Sequence, residues 1–163
     1  KDTSGNVTAR VLTLDPVDIE FEGLTVKLQT KEYFEEGTGR IRIERNILEM
    51  SDPSAKVEIN EYMVACYGTT EYPEDMTGIT LTCGDEVINY EYKCREASAT
   101  GAKEVSAVVP PIETKVSLST EDGAAEGYIR EGYAFSPMFT LGYKKTMAEK
   151  EVFSTWLNLE KAN

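Results

Sequence analysis

Arg40-Ile41-Arg42-Ile43-Glu44 sets isoleucines against charges at every second position, the period of an antiparallel strand with one packed face and one wet face. Val57-Glu58-Ile59 repeats the pattern. Outward from these two runs the chain reads as short alternating stretches: 7–14, 17–21, 24–33, 40–48, 55–66, 78–83, 86–94, 105–109, 114–119 and an interrupted run over 128–143. Turn residues fall between them, at Gly37-Thr38-Gly39, Asp52-Pro53-Ser54, Pro73-Glu74-Asp75, Gly84-Asp85 and Glu121-Asp122-Gly123. Helical periodicity is almost absent. The expected fold is therefore an all-β antiparallel sandwich of jelly-roll or immunoglobulin-like type. In the C-terminal segment, Met147, Val152, Phe153, Trp156 and Leu157 fit a short helix, whereas Phe153, Thr155, Leu157 and Leu159 alternate as a strand, and the strand is favoured.

The 163 residues, 40% of them apolar, suffice for one substantial core, so residues 15–163 are read as one sandwich domain preceded by an extension over 1–14. Ala97 to Lys103 is the only linker-like stretch. A tight turn at Gly84-Asp85 makes paired residue numbers sum to about 169, placing Cys83 opposite Glu86 and not opposite Cys94. A bridge between Cys66 and Cys94 and buried free thiols both remain open.

The 29 acidic and 17 basic residues give a net charge of −12, which repels phosphate backbones and anionic lipids. Nucleic acid is not an expected partner, and no apolar run is long enough for membrane insertion as a helix. A start at Lys1 fits removal of a leader, so secretion is expected, and Asn6-Val7-Thr8 is then a glycosylation sequon at Asn6.

The chain has no histidine, which excludes Ser-His-Asp and Cys-His triads and histidine-based zinc sites. Neither a Cys-x-x-Cys pair nor a phosphate-binding glycine loop is present. Paired carboxylates suit glycoside chemistry, but 29 candidates single out no pair. Tyr90 with Tyr92, or Tyr62 with Tyr67, offers a sugar-stacking platform or simply wet sheet-edge tyrosines. Oxygen-rich loops nominate a Ca2+ site among Asp15, Asp18, Glu71, Glu74 and Asp75, with a second acidic pair at Glu121 and Asp122. No catalytic residue is nominated, and the chain is read as a non-enzyme.

The N-terminal run is β-branched and stops before Pro16, which cannot continue a central ladder. It reads as a first edge strand or as a strand donated to a neighbouring copy, with Gly5, Val7, Ala9, Val11, Leu12 and Leu14 at the interface. Ser4-Gly5-Asn6-Val7-Thr8-Ala9, Asp15-Pro16-Val17-Asp18-Ile19-Glu20 and Asp52-Pro53-Ser54-Ala55 resemble stretches of archaeal cannula subunits and TasA-like biofilm filament proteins. That resemblance covers about a quarter of the chain. It implies a secreted sandwich subunit, homopolymers built by strand donation, and calcium at subunit contacts. The leading expectation is thus an extracellular filament or tubule subunit. A virion tail-tube or decoration protein and a secreted carbohydrate-binding module are the alternatives.

Overall fold

The computed structural model describes residues 5–66, 78–91, 93–132 and 138–162, without the side chain of Cys66. Among the described residues there are thirteen strands and one 3-10 turn at Pro110–Ile112. The strands are β1 (Ala9–Thr13), β2 (Val17–Phe21), β3 (Leu24–Glu35), β4 (Ile41–Met50), β5 (Val57–Cys66), β6 (Thr80–Cys83) and β7 (Glu86–Asn89). They continue as β8 (Glu96–Thr100), β9 (Glu104–Val109), β10 (Thr114–Ser119), β11 (Glu126–Glu131), β12 (Met138–Met147) and β13 (Val152–Lys161). A nine-stranded sheet in the order β1-β3-β4-β13-β10-β9-β6-β7, with β2 also on β3, faces a four-stranded sheet ordered β5-β12-β11-β8. This is the antiparallel sandwich read from the alternation, and the C-terminal segment is a strand.

The inner faces follow the period of two. Val26, Ile47, Phe153, Val116, Leu118, Val105 and Leu81 of the large sheet pack against Ile129, Phe139, Leu141, Tyr143 and Met147 of the small one. The sheets pack tightly at Gly127, where an added Cβ would stand 2.9 Å from Val105 Cγ1 and 3.1 Å from the Tyr143 ring. The Cys83 thiol donates to the Gly127 carbonyl at 3.2 Å, and Tyr143 Oη reaches the Ala102 and Leu118 carbonyls at 3.1 and 3.4 Å. Burial pushes both of these groups above their ordinary pKa.

In β4 the isoleucine face is graded. Ile41 and Ile43 are half-buried and Ile47 is buried, and a bulge that leaves Leu48 without a β3 partner precedes buried Met50. Its opposite face is not simply wet: Arg42 stacks 3.7 Å over the Tyr33 ring and Glu44 pairs with Lys31 at 3.5 Å.

Three expectations about local structure need correction. Residues 9–13 pair with Lys31–Glu35 of their own chain, and Val17–Phe21 continues along the same edge of β3, so of the two readings of the N-terminal run the structure has the first edge strand of its own sheet and not the donated strand. Ala97 to Lys103 is no linker, since Glu96–Thr100 is β8, a strand of small residues that pairs with β11. The run from Glu86 ends as a strand at Asn89 because backbone N–H groups of Glu91, Lys93 and Arg95 are taken by the Glu131 carboxylate. At Gly84, with φ +58°, the hairpin has the expected register: Cys83 opposes Glu86, and both Cys83 and Cys94 are free thiols.

Candidate functional site on the four-stranded sheet

The outer face of the four-stranded sheet is built by register. In β11, Gly127, Ile129 and Glu131 point inward, which sends Glu126, Tyr128 and Arg130 outward. Pairing then sets three rows across the strands: Glu96, Arg130, Thr140 and Val64; Ser98, Tyr128, Gly142 and Tyr62; and Thr100, Glu126, Lys144 and Asn60. Asn60, Glu96, Ser98, Glu126, Tyr128, Arg130 and Lys144 line a cleft of about 480 Å³.

Tyr128 organises this face. A Cβ on Gly142 would lie 2.4 Å from Tyr128 Cζ and 2.5 Å from its hydroxyl, so only the missing side chain lets the phenol cross β12. The hydroxyl hydrogen-bonds Asn60 Oδ1 on β5 at 2.9 Å. Burial raises the Tyr128 pKa, while the Asn60 contact opposes that rise, so the ring is a neutral phenol at physiological pH. Lys144 Nζ lies 5.5 Å from the ring centroid, and Arg130 Nε lies 3.7 Å from Glu96 Oε2. An apolar platform is thereby ringed by two carboxylates, two cations, an amide and a hydroxyl. That combination suits a polyhydroxylated ring, whose C–H faces stack on an aromatic plane while its hydroxyls bond at the rim. A larger cleft of about 640 Å³, between β2, β3 and β5, is lined mainly by apolar groups such as Ile19, Phe21, Val26, Leu28 and Val57 and lacks this convergence.

The residues nominated from sequence fare differently. Tyr62 lies on the same outer face beside the Tyr128–Gly142 pair, whereas Tyr90 is buried and donates to the Met138 carbonyl at 2.8 Å. Tyr67, Tyr92, Glu71, Glu74 and Asp75 fall outside the described residues. Asp15 and Asp18 are exposed, Asp18 standing 4.0 Å from Lys27, and among the described residues no three acidic or cysteine side chains converge as a metal-binding group. Asp122 instead pairs with Lys145 at 3.1 Å. Gly5, Asn6, Val7, Val11, Leu12 and Leu14 are exposed and Ala9 is half-buried. Sequence reasoning missed Glu96, Ser98, Glu126, Tyr128, Arg130 and Lys144, of which only Tyr128 and Arg130 lay within a run read as strand, that over 128–143.

No family model and no curated protein sequence matches the chain. Its fold is similar to that of a Synechocystis protein, at TM-score 0.63 and 12% identity over 96% of this chain and 63% of that one. It is also similar to a galactose mutarotase-like protein from Lactobacillus casei, at TM-score 0.55 and 8% identity over 97% of this chain and 72% of the other. The chain thus spans less than two thirds of the Synechocystis protein's length. These neighbours overturn the resemblance to cannula and TasA-like subunits, and with it the filament subunit, self-assembly by strand donation and the non-enzyme assignment. The N-terminal motifs misled because an edge strand that completes its own sheet and one that completes a neighbour's carry the same alternation. The missing histidine excluded only histidine chemistry; carboxylates, lysine and tyrosine remain able to transfer protons.

Proposed function

We propose that this chain acts on carbohydrate, binding a free sugar on the Tyr128 platform and promoting interconversion of its anomers. The observation that carries the proposal is the Tyr128 ring lying over Gly142 and tied to Asn60, within a cleft that also presents Glu96, Glu126, Arg130 and Lys144. The mutarotase-like protein among the fold neighbours supports the same reading.

Anomer interconversion needs a base for the anomeric hydroxyl proton and an acid for the ring oxygen. Breaking the C1–O5 bond gives the open-chain aldehyde, rotation about C1–C2 presents its other face, and O5 adds back to C1 with both protons returned. Glu126 on β11 and Lys144 on β12 are cross-strand partners in the row next to Tyr128 and Gly142, so a carboxylate and an ammonium stand together on one side of the platform. Glu126 is assigned as the base and Lys144 as the acid. Arg130, which pairs with Glu96, orients ring hydroxyls by donating hydrogen bonds.

The test is equilibration of freshly dissolved single anomers of common hexoses, followed by polarimetry, beside binding read from NMR shifts of Asn60 and Tyr128. Acceleration that is lost in E126Q with binding retained, together with loss of binding in Y128A, is the expected result. Binding without acceleration would remove the catalytic assignment, and absence of both would remove the proposal.

A further inference from the structure

Tyr62 has no role in the cleft just described, yet it is 56% exposed and shares a cross-strand row with Ser98, Tyr128 and Gly142. Neighbouring strands lie about 4.8 Å apart, so the β11 and β5 backbones are separated by roughly 10 Å. The Tyr128 phenol covers much of that gap, because it passes over Gly142 and ends at Asn60, two residues from Tyr62 along β5. The face therefore carries two consecutive aromatic surfaces running across the strands.

The charged groups lie towards one end of this row. Glu126, Arg130 and Glu96 stand on β11 and β8 and Lys144 on β12, whereas Tyr62 is on β5, the edge strand at the other end of the sheet from β8. A ligand with its reacting ring at Tyr128 has its next ring over Tyr62 and continues past the sheet edge. A monosaccharide reaches only the first platform. Consecutive pyranose rings of an oligosaccharide repeat on the length scale of one strand spacing, which the leaning Tyr128 ring and Tyr62 match.

We infer that the ligand of this site is an oligosaccharide bound by its reducing end, with its terminal ring on Tyr128 and its penultimate ring on Tyr62. The inference rests on the carbohydrate reading above but fails separately from it. The experiment is calorimetric titration of the full chain with malto-, cello- and galacto-oligosaccharides of one to four units, in the parent and in Y62A and Y62F. Stacking of one further ring on an aromatic corresponds to a gain of roughly tenfold in affinity. The expected result is tighter binding from one unit to two in at least one series, abolished by Y62A, retained by Y62F, with the monosaccharide affinity unchanged. Equal affinities for one and two units, or a gain that survives in Y62A, would overturn the second platform while leaving the Tyr128 site standing. If no member of any series binds the parent chain, both readings fall. Because Tyr62 is exposed, a thermal melt of Y62A matching the parent's verifies that the fold is intact.

Discussion

Arg95 and Glu131 form a two-point contact, with Nε and Nη2 of the guanidinium donating to the carboxylate at 3.0 and 2.7 Å. The same carboxylate accepts backbone N–H bonds from Glu91, Lys93 and Arg95 at 2.6, 3.1 and 3.1 Å. Glu131 ends β11 on the inward face and its side chain is fully buried, so one anion ties the 90–95 loop to the strand that presents Tyr128 and Arg130.

Replacing that anion should be costly. E131Q keeps the volume but supplies one acceptor oxygen and an NH2 group where five donors converge, and it leaves Arg95 only the more distant Glu91 carboxylate, 3.8 Å from its Nη1. Breaking a buried pair from one side costs about 3–5 kcal/mol, and a value at the lower end is expected here because Arg95 is partly solvated. Urea denaturation of the variant beside the parent measures it; a loss below about 1 kcal/mol would show that the loop holds without the carboxylate.

The pH dependence has a definite sign. Burial alone would raise the Glu131 pKa, but the Arg95 contact and the backbone donors outweigh it and hold the group below the usual carboxylate range. Asp122 is likewise lowered, as bonds from Ala124 and Lys145 overcome its burial. A depressed folded-state value stabilises the fold fully above the unfolded pKa of about 4 and loses that contribution as pH falls through the folded value. Unfolding free energy should therefore decline as pH falls from about 5 to 3, and the E131Q curve should be flatter over that interval.

Two glycines on the small sheet should respond differently to alanine. In G142A the new methyl meets the far end of the Tyr128 ring, which can swing away, so stability should change by no more than about 1 kcal/mol. The Tyr128–Asn60 bond and sugar binding should be lost. In G127A the methyl meets Val105, Ala102 and Tyr143 inside the packed core, and destabilisation of about 1–3 kcal/mol is expected. Thermal melts and NMR titration of the two variants separate a platform effect from a packing effect.

Y143F removes the hydroxyl that reaches the Ala102 and Leu118 carbonyls in the sandwich interior. An unpaired buried acceptor costs about 1–3 kcal/mol, so a loss in that range is expected with the fold unchanged. Denaturation monitored by circular dichroism provides the check.

The sandwich was legible because burying one side of a strand forces a two-residue period, and that period survives in single stretches such as 41–44 and 57–59. Thr114–Ser119 and Val17–Phe21 form strands over the same residues as their sequence patterns. β8 escaped notice because Glu96-Ala97-Ser98-Ala99-Thr100 has low intrinsic strand preference and becomes a strand only through pairing with β11. The Glu86 run was read too long because a carboxylate about forty residues away claims the N–H groups beyond Asn89.

By itself the sequence determined the class of fold, the two faces of the stretches at 41–44 and 57–59, the hairpin register at Gly84-Asp85 and the absence of histidine chemistry. These depend on local period, turn conformation or composition. Only the tertiary structure decided that the N-terminal strand completes its own sheet and that Asn60, Glu96, Glu126, Tyr128 and Lys144 share one cleft. Those residues come from four strands, brought together by a strand order, β5-β12-β11-β8, that follows from burial summed over the whole sandwich. The same order places Gly142 under Tyr128: a glycine that reads as a weak point in an isolated strand becomes the opening through which the phenol reaches Asn60.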